Sequence, residues 1–258
     1  MTITEKEYAR IKKLKTKKGR QKDNKFMVEG IRCLQELVVS DYRIDQIYVC
    51  ENYLTETGRS FLDQNENSHY EFADPRRFDQ LISEKTSQGI IAVANRKNHE
   101  VCNPDRTNFV LVVEKMSDPS NLGSVIRSAV SFGAPLIIGP NSAELYSPKV
   151  ISASSGFIFK GALTVCPALP EQLNLLRKKG FIIYGADSRG VNIQKIGLTG
   201  KKTALVIGNE AFGLSEDVCQ KLDKTIRIPI RSEVDSLSAP VAAGILLYAL
   251  TDKRRKIK

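Results

Sequence analysis

The sequence predicts an α/β protein of two domains, the larger C-terminal one built on a mostly parallel sheet. Three observations support this. Strand and helix signals alternate along the whole chain of 258 residues. Phe109-Val-Leu-Val-Val113 is a continuous apolar run, as a strand buried on both faces requires. Between Asn95 and Asn108 lies a polar stretch with almost no apolar residues, the composition of a linker. The smaller domain is thereby bounded to residues 1–97 and the larger to residues 108–258.

In the first domain, Phe26-Met-Val-Glu-Gly30 reads as a strand entering a helix over Ile31–Val39. Gln46–Cys50 reads as a strand, Phe78–Ile82 as part of a short helix, and Gly89–Ala94 as a closing strand. In the second, the Phe109–Val113 strand leads to a helix with Pro119 in its first turn. Leu122, Val125, Ile126, Ala129 and Val130 form its apolar face, opposite Ser124, Arg127, Ser128 and Ser131. Gly133 ends it and Pro135–Ile138 follows as a strand, completing a βαβ unit. Pro170–Lys179 is helical, and Phe181–Tyr184, Ala204–Ile207 and Thr225–Ile228 are strands. The helix Ala239–Thr251 is apolar on nearly every side and is expected to be buried.

The chain carries 39 Lys+Arg against 29 Asp+Glu, a formal charge of +10, which favours a polyanionic partner. The charge is concentrated in Arg10, Lys12, Lys13, Lys17, Lys18 and Arg20, so this segment is the first candidate for phosphate contact. The cluster Lys253–Lys258 reads instead as a helix end that complements the dipole. Five scattered cysteines without metal-ligand spacing, and only two histidines, His69 and His99, suggest a reducing compartment and no metal site. No apolar run approaches membrane-span or signal-peptide length, so a cytoplasmic protein is expected, or an organellar one with an uncharacteristic transit signal.

In an open parallel sheet, ligands bind beyond the carboxyl ends of the strands. Three loops leaving such ends are polar: Asp118–Arg127, Gly208–Gly213 and Arg231–Ser238. Each alone is compatible with ordinary turn chemistry. No GxGxxG follows a strand and no P-loop is present, and Gly185-Ala-Asp-Ser-Arg-Gly190 is only a partial match. Two histidines offer no convincing hydrolytic triad.

Taken in order, Asp118-Pro-Ser-Asn-Leu-Gly-Ser-Val-Ile-Arg127, Ile207-Gly-Asn-Glu-Ala-Phe-Gly213 and Ile228-Pro-Ile-Arg-Ser-Glu-Val-Asp-Ser-Leu237 with Val241-Ala-Ala-Gly244 resemble the three motifs of the SpoU/TrmH family of SPOUT methyltransferases. The first domain is similar to that family's ribosomal-protein-like RNA-binding domain, through the basic segment, Phe26–Arg32 and Gln88–Val93. The resemblance implies a deep trefoil knot, S-adenosylmethionine as donor, transfer to a ribose 2′-hydroxyl of RNA, and a homodimer whose subunits jointly build the site. It assigns the cofactor pocket to Gly208, Ile228 and Leu237, and the polar work to Asn121, Arg127, Glu210, Ser236 and Ser238. Arg32 joins the basic segment as an RNA-binding candidate. Ribosomal RNA is favoured over transfer RNA because of the accessory domain.

Those residue types suit the reaction. A ribose hydroxyl is a poor nucleophile, so alignment and electrostatics carry much of the acceleration. Arg127 suits polarisation of the hydroxyl or phosphate positioning, because a guanidinium stays protonated. Glu210 can orient Arg127 or bind RNA, or simply compensate a helix dipole near Ser215. The family usually has asparagine where Ser238 stands, a small residue at Pro240 and glycine at Ser232. Ser238 and Pro240 read equally as a helix N-cap and first-turn proline. A non-catalytic RNA-binding or ribosome-assembly protein, and a base methyltransferase, are the alternatives.

Overall fold

The period-2 and period-3.6 patterns of the sequence resolve into ten strands and ten α-helices in the computed structural model, which describes residues 3–65, 69–83, 87–99, 104–196 and 201–251. The chain forms two units, residues 1–98 with 144–160, and residues 99–143 with 161–258.

The first unit opens with α1 (Glu5–Lys13) and α2 (Lys17–Asp23), where the sequence shows mainly a run of charge. Capping explains the two short helices. Thr4 and Glu7 form a reciprocal capping box before α1, and Thr16 accepts from the Gly19 N–H before α2. There follow β1 (Lys25–Glu29), α3 (Ile31–Val38), β2 (Ile44–Val49), α4 (Glu56–Asp63), β3 (Tyr70–Phe72), α5 (Pro75–Leu81) and β4 (Ile90–Asn95). The sheet order is β1-β4-β2-β3, with β4 antiparallel to both neighbours and β2 parallel to β3. Tyr8, Ile11 and Leu14 from the α1 segment pack with Phe78 and Leu81 of α5 against Met27, Tyr48, Ile91 and Val93 of the sheet.

The second unit continues with β5 (Phe109–Val113), α6 (Pro119–Ser131) and β6 (Leu136–Ile138). The chain then contributes α7 (Pro148–Ala153) to the first unit. Within the span 108–258 expected for the larger domain, residues 144–160 thus pack with the first unit. Tyr146 stacks on Phe26 with centroids 4.6 Å apart, Phe159 stacks on the same ring at 5.8 Å, and Cys33 Sγ donates to the Ile151 carbonyl at 3.7 Å. These aromatic and sulfur contacts make the 144–160 segment core to the first sheet rather than the second.

The remaining elements are β7 (Leu163–Val165), α8 (Leu169–Lys178), β8 (Phe181–Asn192), β9 (Lys202–Ile207), α9 (Glu216–Cys219), β10 (Lys224–Arg227) and α10 (Ala239–Thr251). The second sheet has the order β10-β8-β9-β5-β6-β7, and every pairing in it is parallel. Phe109 lies opposite Thr203 and Val113 opposite Ile207, so β5 and β9 end level. β5 is buried at all five positions, as a two-sided central strand demands. β8 runs eight residues past Tyr184; the β9 pairing stops at Gly185, and the β10 register skips residues 186–190 and resumes at Val191 and Asn192.

α10 departs from expectation. Ala243, Leu246, Leu247 and Leu250 are buried, but Val241, Ile245 and Tyr248 stand exposed on one face. The basic cluster Lys253–Lys258 and Cys102 lie outside the described residues. Among the described residues no helix is long and apolar enough to cross a membrane.

Candidate active site

Because the second sheet is parallel, β5, β9 and β10 deliver their following loops to the same edge. Glu114, directly after β5, is only 3% exposed, and its carboxylate accepts from the Ser215 hydroxyl and from the Ser215 N–H at 2.9 Å. Asn209 Nδ2 donates to the Lys115 carbonyl at 2.9 Å. The end of β5 therefore anchors the loop after β9 at two points. Within that loop, the Asn209 and Gly213 backbones exchange hydrogen bonds of 3.0 and 2.9 Å, while Asn209 Oδ1 accepts from the Ala211 and Phe212 N–H groups. A Cβ on Gly208 would sit 2.4 Å from the Gly213 carbonyl carbon, so only glycine fits there.

The first loop becomes the start of α6. Asp118 caps it, with its Oδ1 accepting from the N–H groups of Ser120 at 2.7 Å and Asn121 at 3.0 Å, and Pro119 occupies the first turn. The cap directs Asn121 Nδ2 onto Glu210 Oε1, 2.6 Å away. This charge-assisted bond ties the first loop to the second.

Beside Glu210 lies a cleft of about 360 Å³, within the range of small-molecule sites. Ile207, Ile226, Ile228, Leu237 and Leu246 supply apolar wall, and Gly208, Glu210 and Ser236 belong to its lining. Five of the eight residues singled out for catalysis or cofactor binding thus line one cavity. The other three do not. Asn121 reaches it only through Glu210. Arg127 is exposed on α6, six residues or about 9 Å further along the helix axis. Ser238 is exposed, and its carbonyl accepts from the Ala242 N–H at 2.9 Å, the bond an N-cap residue makes at the start of α10.

The cleft also gains Ala186, Asp187, Ser188 and Arg189 from the far half of β8. Sequence reasoning set this stretch aside as a partial glycine motif. Hydrogen bonds from Arg189 Nε at 3.1 Å and Nη2 at 3.0 Å hold the Asp187 carboxyl below the ordinary carboxylate range. Glu114 and Asn209 were missed too. A carboxylate immediately after five consecutive apolar residues was the signal for Glu114.

In the first unit, Arg10, Lys12, Lys13, Lys17, Lys18 and Arg32 are exposed. Arg10 Nε pairs with Asp23 at 3.1 Å, and Lys12 Nζ donates to Gln80 Oε1 at 2.8 Å. Arg20 is a correction: it is 3% exposed, pairs with Glu144 at 2.6 Å, and donates to the Leu14 and Lys15 carbonyls. Its guanidinium closes the α1–α2 turn and cannot face a phosphate.

Known proteins match both units. The model of the SpoU rRNA methylase family matches residues 108–248, and that of an MRM3-like substrate binding domain matches residues 8–92. The Bacillus subtilis 23S rRNA (guanosine(2553)-2′-O)-methyltransferase RlmP is 29% identical over 93% of each chain. The SpoU methyltransferase AviRb from Streptomyces viridochromogenes, solved with S-adenosylmethionine, is 25% identical and superposes with a TM-score of 0.83 over 98% of each chain. An rRNA methyltransferase from Sinorhizobium meliloti, also with the cofactor bound, shares the fold at a TM-score of 0.85 and 19% identity over 99% of each chain. With more than half of its length matched by the family model, the chain belongs to the SpoU rRNA methylase family, whose members transfer methyl groups from S-adenosylmethionine to RNA.

Proposed function

We propose that the protein methylates a ribose 2′-hydroxyl of ribosomal RNA as a homodimer in the cytoplasm, with the knotted C-terminal path of its family. One observation carries the reading. The Asn121–Glu210 hydrogen bond joins the first two motif loops at the rim of a cleft that the third loop completes through Ser236 and Leu237.

The cleft fits S-adenosylmethionine. Its isoleucine and leucine wall suits a purine, and the Asp187 and Glu210 carboxylates suit a ligand bearing cationic groups. When bound, the cofactor supplies an electrophilic methyl group on a sulfonium. The chain's own residues then act on the RNA: Glu210, held by Asn121, orients the incoming ribose, and an arginine polarises its hydroxyl or grips the adjacent phosphate.

Arg127 lies outside the cleft of its own chain, which is why the dimer matters. In the proposed assembly the second copy brings its Arg127 to the cleft, and the exposed Val241, Ile245 and Tyr248 face of α10 forms part of the contact. Ser238 serves as the α10 N-cap rather than as a reacting group. Lys12, Lys13, Lys17, Lys18 and Arg32 of the substrate-binding unit contact RNA phosphate.

Incubation with methyl-labelled cofactor and unmodified rRNA transcripts, followed by nucleoside mass spectrometry, should yield a 2′-O-methylated nucleoside. A methylated base, or none, would overturn the assignment. Sedimentation should show a dimer that Tyr248→Glu weakens.

A further inference from the structure

The proposed transfer uses Glu210 but leaves its neighbour unexplained. Phe212 is 90% exposed, although burial of a phenylalanine side chain is favourable. Fraying does not account for it. The Asn209–Gly213 backbone pair closes the loop around it, Asn209 Oδ1 accepts from its own N–H at 3.1 Å, and Gly213 turns the chain at φ +68°. The loop is further tied to β5 through Asn209 and Ser215. The ring is therefore held out by a braced turn, two residues from the carboxylate that Asn121 fixes at the cleft rim.

We infer that Phe212 is a substrate-positioning residue that stacks on an unpaired base of the RNA, at or next to the ribose being methylated. This rests on the methyltransferase reading above. A ribose that reaches Glu210 carries its base within one glycosidic bond, so a base must lie close to this loop. The reaction leaves the base untouched, and it still has to be held while the sugar is aligned. A flat apolar ring does this for any base, because every base has a π-face, and single-stranded RNA is commonly gripped through such stacking. A protein contact fits less well. Val241, Ile245 and Tyr248 are exposed at helical spacing on α10, whereas Phe212 is flanked in sequence by Glu210, Ser215 and Glu216.

The chain contains no tryptophan, so Phe212→Trp introduces the only indole emission. Titration with oligoadenylate, oligouridylate and unmodified rRNA transcripts should quench that emission, with anisotropy of labelled RNA measured in parallel. RNA binding without quenching overturns the inference, as does absence of RNA binding. A shift on protein dilution without RNA makes Phe212 a contact between copies instead. In methyl-transfer assays on the same transcripts, Phe212→Ala and Phe212→Leu should raise the RNA KM by roughly tenfold or more and leave S-adenosylmethionine affinity unchanged, while Phe212→Trp restores KM. If Leu performs as well as Trp, the ring acts as an apolar plug and stacking is wrong. Quenching by RNA with no transfer by the wild-type protein would keep the stacking site and remove the methyltransferase reading.

Discussion

Arg20 stands in the basic segment whose charge suggests phosphate contact, Arg127 in the first of the three motif loops, and they end in opposite environments. Arg20 in α2 is buried, ion-paired to Glu144 and bonded to two carbonyls of its own turn. Arg127 in α6 is exposed on the outer side of a helix whose opposite face is packed. A cluster of basic residues reveals the sign of a partner, but the helix phase decides which members face it. In the α1–α2 hairpin the apolar positions Ile11 and Leu14 turn inward, and Arg20 turns with them. In the parallel sheet, direction is settled by topology, since every strand delivers its next loop to the same edge.

The contrast is most easily broken at Arg127. Arg127→Ala should lower methyl transfer by about a thousandfold or more while calorimetry shows normal S-adenosylmethionine binding. Mixing this variant with Ser236→Trp, which fills the cleft, should recover about a quarter of wild-type activity if each site draws on two copies. No recovery in the mixture confines the site to one chain. Arg20→Ala should act on the fold instead. It leaves the largely covered Glu144 with only Arg96 at 4.0 Å, and breaking such a pair costs about 3 kcal/mol, readable as a lower urea midpoint. The double variant Arg20→Met with Glu144→Leu should regain most of that loss. A variant that unfolds normally but binds RNA weakly would return Arg20 to the interface.

The exposed lysines test the other side of the comparison. Changing Lys12, Lys13, Lys17 and Lys18 to glutamine should weaken RNA binding and reduce the log–log salt slope by roughly three, with the melting curve unchanged. An unaltered slope makes the four a solvated face.

These cases show what was legible beforehand. β5 and α6 were readable because an unbroken apolar run and an Asp-Pro start each have one stable outcome in a layered α/β fold, whereas α10 was legible as a helix but not in its exposed face. The 144–160 segment was not, because its commitment to the first unit comes from Phe26, Tyr146 and Phe159 meeting across more than a hundred residues of chain. The three motif loops were legible in order, and five of their residues converge on the cleft. The β8 contribution was hidden because Asp187 and Arg189 look like turn residues, and they lie in the 186–190 stretch that the β10 register skips between Gly185 and Val191, an excursion with no local mark in the sequence.

Asp187 offers the smallest and most discriminating effect. Arg189 depresses its pKa, so its carboxylate stays charged below the usual aspartate value of about 4. A group with a lowered folded pKa contributes stability that is complete above its unfolded value and disappears as pH falls through the folded one. With Arg189 89% exposed, solvent screens the pair and little stability rides on it. The consequence for the cleft is sharper than for the fold, because a carboxylate held charged should leave cofactor affinity unaffected by Asp187 protonation between about pH 5 and pH 8. Affinity measured by calorimetry should fall only in stronger acid, and Asp187→Asn should remove that acid limb. A decline already visible between pH 6 and pH 5, abolished by the same substitution, would mean that the carboxylate is raised rather than lowered when the cofactor binds, and that Arg189 has turned away from Asp187 to the ligand.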